Sequence, residues 1–289
     1  MDLQIKFLKM LESIRNGFLD GFFEGVTMLG EETLMVFIIV TLWFAIDKRI
    51  AQRMFFVTIA SMGVNGVIKN IAKVPRPFAG GKVSCVRPET ATGYSFPSGH
   101  TQCFATWSSL VAIISKKTWT KCLVAILILL VGFSRMYLGA HYPGDVVVGI
   151  ALGVLFAVFG NILYDRFRNK NRLYLILMAV FTPFAIIFLI NPNPLYADFY
   201  KLYGMLAGTG LGIMVEEKFA PLSYDVSIAK KIVRVVFGVA AALIIKAGLK
   251  VAFKVEFSEL SLSLDALRYF LLVIILTGLC PIIFKKLKM

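Results

Sequence analysis

Runs of apolar residues separated by short polar stretches make up most of the chain. Nine runs, at 29–46, 54–70, 100–115, 121–138, 144–163, 173–190, 200–215, 231–252 and 267–284, approach the ~20 residues that cross a bilayer as a helix. Ahead of them, Leu3, Phe7, Leu11, Ile14, Phe18 and Phe22 recur at spacings of three and four, with Lys6, Lys9, Glu12, Asn16 and Asp20 on the other side. That pattern predicts an N-terminal amphipathic helix over 1–28, lying in the membrane interface or packed as an ordinary helix. The expected fold class is all-α: a polytopic membrane helical bundle of about nine spans plus that helix.

Composition agrees, with 58% hydrophobic and only 17% charged residues, against roughly 45–50% and about 25% in soluble domains. The formal charge of +14 sits in short clusters between the apolar runs, where it reads as an orientation signal rather than a nucleic-acid surface. The rich connections hold Lys48, Arg49 and Arg53; Lys116, Lys117 and Lys121; Arg166, Arg168, Lys170 and Arg172; Lys218, Lys230 and Lys231; and Lys285, Lys286 and Lys288. By the positive-inside rule they are cytoplasmic, and the loops at 71–99, 139–143, 191–199 and 253–266 are extracytoplasmic. The N-terminus lacks the basic-then-apolar layout of a cleavable leader, so the first spans are expected to direct insertion, into the plasma or cytoplasmic membrane. The 71–99 loop breaks the charge rule with Lys73, Arg76, Lys82 and Arg87, and Lys69 just before it.

Three motifs supply a reason for that exception: KNIAKVPRP from Lys69 to Pro77, PSGH from Pro97 to His100, and SRMYLGAHYPGD from Ser134 to Asp145. In these the chain resembles the type 2 phosphatidic acid phosphatase (lipid phosphate phosphatase) family, related to vanadium-dependent haloperoxidases. Every specified position of the family pattern is matched, with the right internal spacing, over about residues 69–145. The resemblance implies a phosphatase core of five spans over 29–165; its motifs stop there, and the remaining apolar runs form an extension of about four spans over 166–289. It also implies a phosphohistidine intermediate.

The chemistry of these residues suits phosphate. Lys69, Arg76 and Arg135 bring three cations, and the arginines can form forked hydrogen bonds. Ser98 and Gly99 open the third run, where a helix N-terminus offers free N–H groups to an anion; Gly99 admits close approach, and the Ser98 hydroxyl can bond the ligand or cap the helix. His141 stands four residues before Asp145, so the carboxylate can fix its tautomer and leave the other ring nitrogen as a nucleophile toward phosphorus. His100 is suited to protonate the leaving alkoxide and then to activate water. All three motifs fall on the extracytoplasmic side, as one site requires. Two histidines and no paired cysteine motif give little support to a metal, so metal-independent hydrolysis without a cofactor is expected.

The remaining expectations are coarser. The partners are a lipid phosphate and the bilayer; phosphatidate, phosphatidylglycerol phosphate, a sphingoid base phosphate and a polyprenyl diphosphate all remain open as substrates. A soluble sugar phosphate and non-catalytic lipid binding or transport are the alternatives. Gly204, Gly208 and Gly212 mark a close helix approach, within the monomer or in a homodimer. Lys246 and Lys250 share a helix face and snorkel to the outer surface or form a second anion site. Cys85 and Cys103 are near enough in sequence to the second motif for a disulfide to be conceivable.

Overall fold

Helix ends follow from local chemistry. Asn16, Asn169 and Ser227 each accept a hydrogen bond from a first-turn N–H and so start helices. In the computed structural model, which describes residues 2–253 and 259–289, the described residues form helices and no strands. They are α1 (Asp2–Ser13), α2 (Gly17–Thr27), α3 (Glu32–Thr41), α4 (Lys48–Ala72), α5 (Gly99–Ser115), α6 (Thr118–Tyr137), α7 (Pro143–Arg166), α8 (Lys170–Ile190), α9 (Ala197–Phe219), α10 (Ile228–Ala252), α11 (Glu259–Ile274) and α12 (Cys280–Lys286). Residues 254–258 of the expected loop at 253–266 lie outside the described residues.

Two units emerge, one of residues 1–35 and 60–163, the other of 36–59 and 164–289. The second takes in residues 36–59 as well as the C-terminal helices. In the first unit, α5 and α6 bury Phe104, Ala105, Ala112, Val124, Ile128 and Val131 together. Helix α7 approaches α5 closely at Gly149 and Gly153, where an added Cβ would lie 2.9 Å from the Ser98 carbonyl oxygen and 2.7 Å from that of Gln102. In the second unit, the glycine stripe of α9 is taken up by α11 and the turn after it: a Cβ on Gly204 would meet the Ala266 oxygen at 1.9 Å, and one on Gly212 the Thr277 hydroxyl at 1.9 Å. The close approach thus lies inside this unit. Nearby, Glu216 is fully buried and takes both of its oxygens to Lys48 Nζ, at 2.7 and 3.0 Å.

The count of nine spans needs correcting. Among the described residues six helices are long and apolar enough to cross a membrane, or seven if the bent pair Gly17–Gly30 and Glu32–Ile46 is one span. The expected segments 100–115 and 200–215 fall in α5 and α9, which are not among them. Both helices are packed mainly against protein. Helix α5 buries Thr101, Gln102, Thr106 and Ser108, and α9 buries Thr209 and Glu216. Helix α5 has only 17 residues, and in α9 polar side chains satisfied inside a helical unit lower the helix's hydropathy without placing them in lipid.

The single N-terminal helix over 1–28 also needs correcting: α1 and α2 are separate, broken before Asn16, which caps α2. Of the expected apolar face, Leu11 is buried, whereas Leu3, Ile14, Phe18 and Phe22 are exposed. The packed face of α1 is Ile5, Leu8 and Leu11, set against Val83 and Tyr142. The break at 14–16 rotates the second half of the pattern, so one continuous stripe cannot form.

Candidate functional site

Proline and glycine shape the three motif segments. Helix α4 stops just after Lys69 because Pro75 and Pro77 cannot continue it, and Lys73 takes a left-handed conformation at the exit (φ 49°). Arg76 follows in extended backbone. Helix α5 begins at Gly99 behind Ser98, which makes no side-chain cap bond; its hydroxyl instead pairs with the Thr101 hydroxyl at 2.9 Å. Helix α6 carries Arg135 in its last turn. A left-handed Gly139 then turns the chain so closely past Ser84 that an added Cβ would lie 2.1 Å from its carbonyl oxygen. Pro143 opens α7, with Asp145 in its first turn.

His141 is 1% exposed and sits between two partners. Arg76 Nη1 is 3.1 Å from Nε2, and Asp145 Oδ2 is 3.3 Å from Nδ1. Because a guanidinium can only donate, Nε2 must hold a lone pair, which puts the ring proton on Nδ1, facing the carboxylate. Burial first, and the Arg76 guanidinium second, hold the imidazole well below the ordinary histidine range. Asp145 Oδ2 is fixed in turn by the Ser95 hydroxyl at 2.5 Å and the Tyr142 N–H at 2.9 Å, while the Asp145 carbonyl accepts from Ser98 N–H at 3.0 Å. The second and third motifs are thereby joined through one residue.

Backbone carbonyls hold two of the cations. Arg76 donates to Gly93 O (2.9 Å), Ala140 O (3.0 Å) and Thr92 O, and Lys69 Nζ donates to Tyr94 O. Lys69 also lies beside the start of α5, its Cε 3.9 Å from where a Cβ on Gly99 would stand. Arg135 is fully buried; Nη1 donates to the Thr27 hydroxyl at 2.9 Å, while Nε and Nη2 have no partner. His100 is half-buried in the first turn of α5. Its backbone oxygen would stand 2.8 Å from a Cβ on Gly30.

All eight residues singled out by sequence lie in the first unit. Contacts link Lys69 and Arg76 to the 92–94 turn, Arg76 to His141, His141 to Asp145, and Asp145 to Ser98. Sequence reasoning missed Ser95 and Thr27. It also missed a buried layer beneath the site, in which Asn65 donates to Gln102 Oε1 at 2.8 Å, Gln102 donates to Ser61 O at 2.8 Å, and Ser61 pairs with Thr106. An amide in the apolar stretch after His100 was the available signal for Gln102; Thr27 carried none. Cys85 and Cys103 are both free thiols, and Cys103 Sγ lies against Met35 Sδ at 3.7 Å.

Comparison with known proteins gives two family matches: a model described as PAP2 superfamily over residues 50–169, and one described as PAP2 superfamily phosphatase, transmembrane extension, over 200–289. Among curated proteins the chain is similar to lipid phosphate phosphatase delta of Arabidopsis thaliana, 26% identical over 275 residues, spanning 82% of this chain and 63% of that one. It is 30% identical over 179 residues to phosphatidylglycerophosphatase B of Bacillus subtilis, spanning 54% of this chain and 82% of that one. The chain thus spans less than two thirds of the plant protein's length. Among solved structures, the transmembrane PAP2-type phosphatidylglycerolphosphate phosphatase of Bacillus subtilis matches with a TM-score of 0.50 at 24% identity, covering 58% of this chain and 88% of that one.

Proposed function

The chain belongs to the PAP2 superfamily, and on that footing we propose that it is a membrane phosphatase removing the terminal phosphate of a lipid, with His141 as nucleophile. The observation that carries this reading is the polarised His141: a lone pair on Nε2, a carboxylate on Nδ1, and a fully buried guanidinium nearby in sequence with two unused donors. In the resting site an Arg76 N–H occupies the Nε2 lone pair. A phosphate oxygen is the stronger acceptor for a guanidinium, so substrate draws that N–H away and frees Nε2. Nε2 then attacks phosphorus, the ester P–O bond breaks, and the alkoxide takes a proton from His100, which the bound phosphate dianion holds as imidazolium in the complex. Water, deprotonated by His100, next attacks the phosphohistidine; the P–N bond breaks, and phosphate leaves with His141 restored. Lys69, Arg76, Arg135, the Ser98 hydroxyl and the N–H of Gly99 balance the charge on the equatorial oxygens. No metal or cofactor takes part in this scheme.

A lipid is favoured over a sugar phosphate because the phosphate-binding residues sit at the ends of membrane helices, and the similar proteins are named for lipid phosphates. The basic residues clustered in the other connections support an extracytoplasmic face for this site. The test is phosphate release by detergent-solubilised protein from a panel of lipid phosphates, lipid diphosphates and sugar phosphates, with EDTA present and His141→Ala alongside. We expect release from lipids, lost in the variant. Release mainly from sugars would replace the substrate class, and folded protein that releases nothing would overturn the reading.

A further inference from the structure

A buried arginine with idle donors needs an account. Arg135 is fully enclosed, and among the described residues it forms no ion pair. Leaving an uncompensated charge or unpaired donors inside a protein is costly. Its two unpartnered atoms, Nε and Nη2, lie along the same edge of the planar guanidinium, the edge that meets two oxygens of one anion side by side. The third nitrogen, Nη1, is engaged by Thr27, itself fully buried at the end of α2. We infer that Thr27 is a positioning residue for Arg135: by accepting from Nη1 it fixes the plane of the guanidinium and leaves the Nε/Nη2 edge as a two-donor seat for the transferred phosphate. The phosphate identity rests on the proposed function above; the positioning itself does not.

Other contacts from the same N-terminal helices support this placement. Arg15 donates twice to Tyr137 O, at 2.9 and 2.7 Å, capping the end of α6 just beyond Arg135. The Tyr137 hydroxyl donates to Asp20 at 2.8 Å, and Gln4 accepts from Gly144 N–H at 2.9 Å, one residue before Asp145. Residues 4–27 therefore grip the His141 segment at both of its ends. The turn after Thr27 also reaches the second motif, because Gly30 abuts the His100 backbone. Thr27 lies outside the residues matched by the family models, 50–169 and 200–289, so this chain's own N-terminal helices complete the site.

The experiment compares Thr27→Val, nearly the same shape without the hydroxyl, with Thr27→Ser, which keeps it. Readouts are kcat and KM on the best substrate of the panel, and the affinity for orthovanadate from its inhibition and from its shift of the melting temperature. Expected for Thr27→Val is about a tenfold loss in vanadate affinity and in kcat/KM, the size of one charge-assisted hydrogen bond, with Thr27→Ser within about twofold of the parent. In an Arg135→Lys background, where no guanidinium edge remains to be aligned, Thr27→Val should add less than about twofold. The inference is overturned if Val and Ser behave alike, if Thr27→Val lowers only the melting temperature, or if the two losses multiply in the double variant. Should Thr27→Val not fold, Thr27→Ala is judged on the same vanadate readout. A parent protein that binds vanadate but hydrolyses nothing overturns the phosphatase reading alone, and weaker vanadate binding by Thr27→Val in that protein still upholds the positioning role.

Discussion

At His141 the physics reduces to one proton. The Arg76 N–H on Nε2 and the Asp145 carboxylate on Nδ1 select the tautomer, and burial with that cation disfavours a second proton. The sign of the pH effect follows. In the unfolded chain His141 protonates near its ordinary value of about 6.5, in the folded protein only at lower pH, so between the two the unfolded state binds more protons. Stability contributed at this position is complete above roughly pH 6.5 and declines as pH falls below it. Melting curves from pH 5 to 8 should show that decline, and His141→Gln should flatten it; an unchanged slope in the variant would contradict the assignment. Ser95 shows what the motif pattern omits at this scale. Its hydroxyl bonds Asp145, yet in the sequence it is one more polar residue ahead of Pro97.

Helix packing is where small residues matter. Gly204, Gly208 and Gly212 were legible as a close-approach stripe, but the stripe left monomer and dimer equally open; α11 is what fills it. A Cβ at position 204 would stand 1.9 Å from a backbone oxygen, which no rotamer change can relieve. Gly204→Ala should therefore cost roughly 1–3 kcal/mol, as overpacking does, and Gly210→Ala, whose Cβ would meet only the Tyr174 side chain at 3.6 Å, should cost little. Thermal melting of the two variants in detergent separates these outcomes, and equal melting temperatures would argue against the α9–α11 contact. The N-terminal helices teach the converse. Period alone predicted one stripe, but the Asn16 cap divides it, and α1 turns a different face inward.

Over the whole molecule, membrane residence is set by composition, and each unit adds its own polar interior. In the second unit the buried Glu216 also accepts the Leu222 N–H at 2.7 Å, so it is satisfied only while Lys48 stays in place. Lys48→Met should cost about 3 kcal/mol, the low end for breaking such a pair because the Lys48 side chain keeps 20% exposure. Adding Glu216→Gln should recover most of that loss; detergent melting of the single and double variants checks it, and a double variant no better than the single would refute the coupling. The sequence by itself determined the membrane class, the helical runs and the eight motif residues, because hydropathy and short spacings are local properties of the chain. Only the tertiary structure decided that α5 and α9 are protein-packed, that residues 36–59 join the second unit, and that Thr27 meets Arg135 across 108 positions of sequence. A contact of that range leaves no periodic trace. It exists because folding closes the intervening chain, and its partner is chosen by geometry rather than by any pattern in the neighbouring residues.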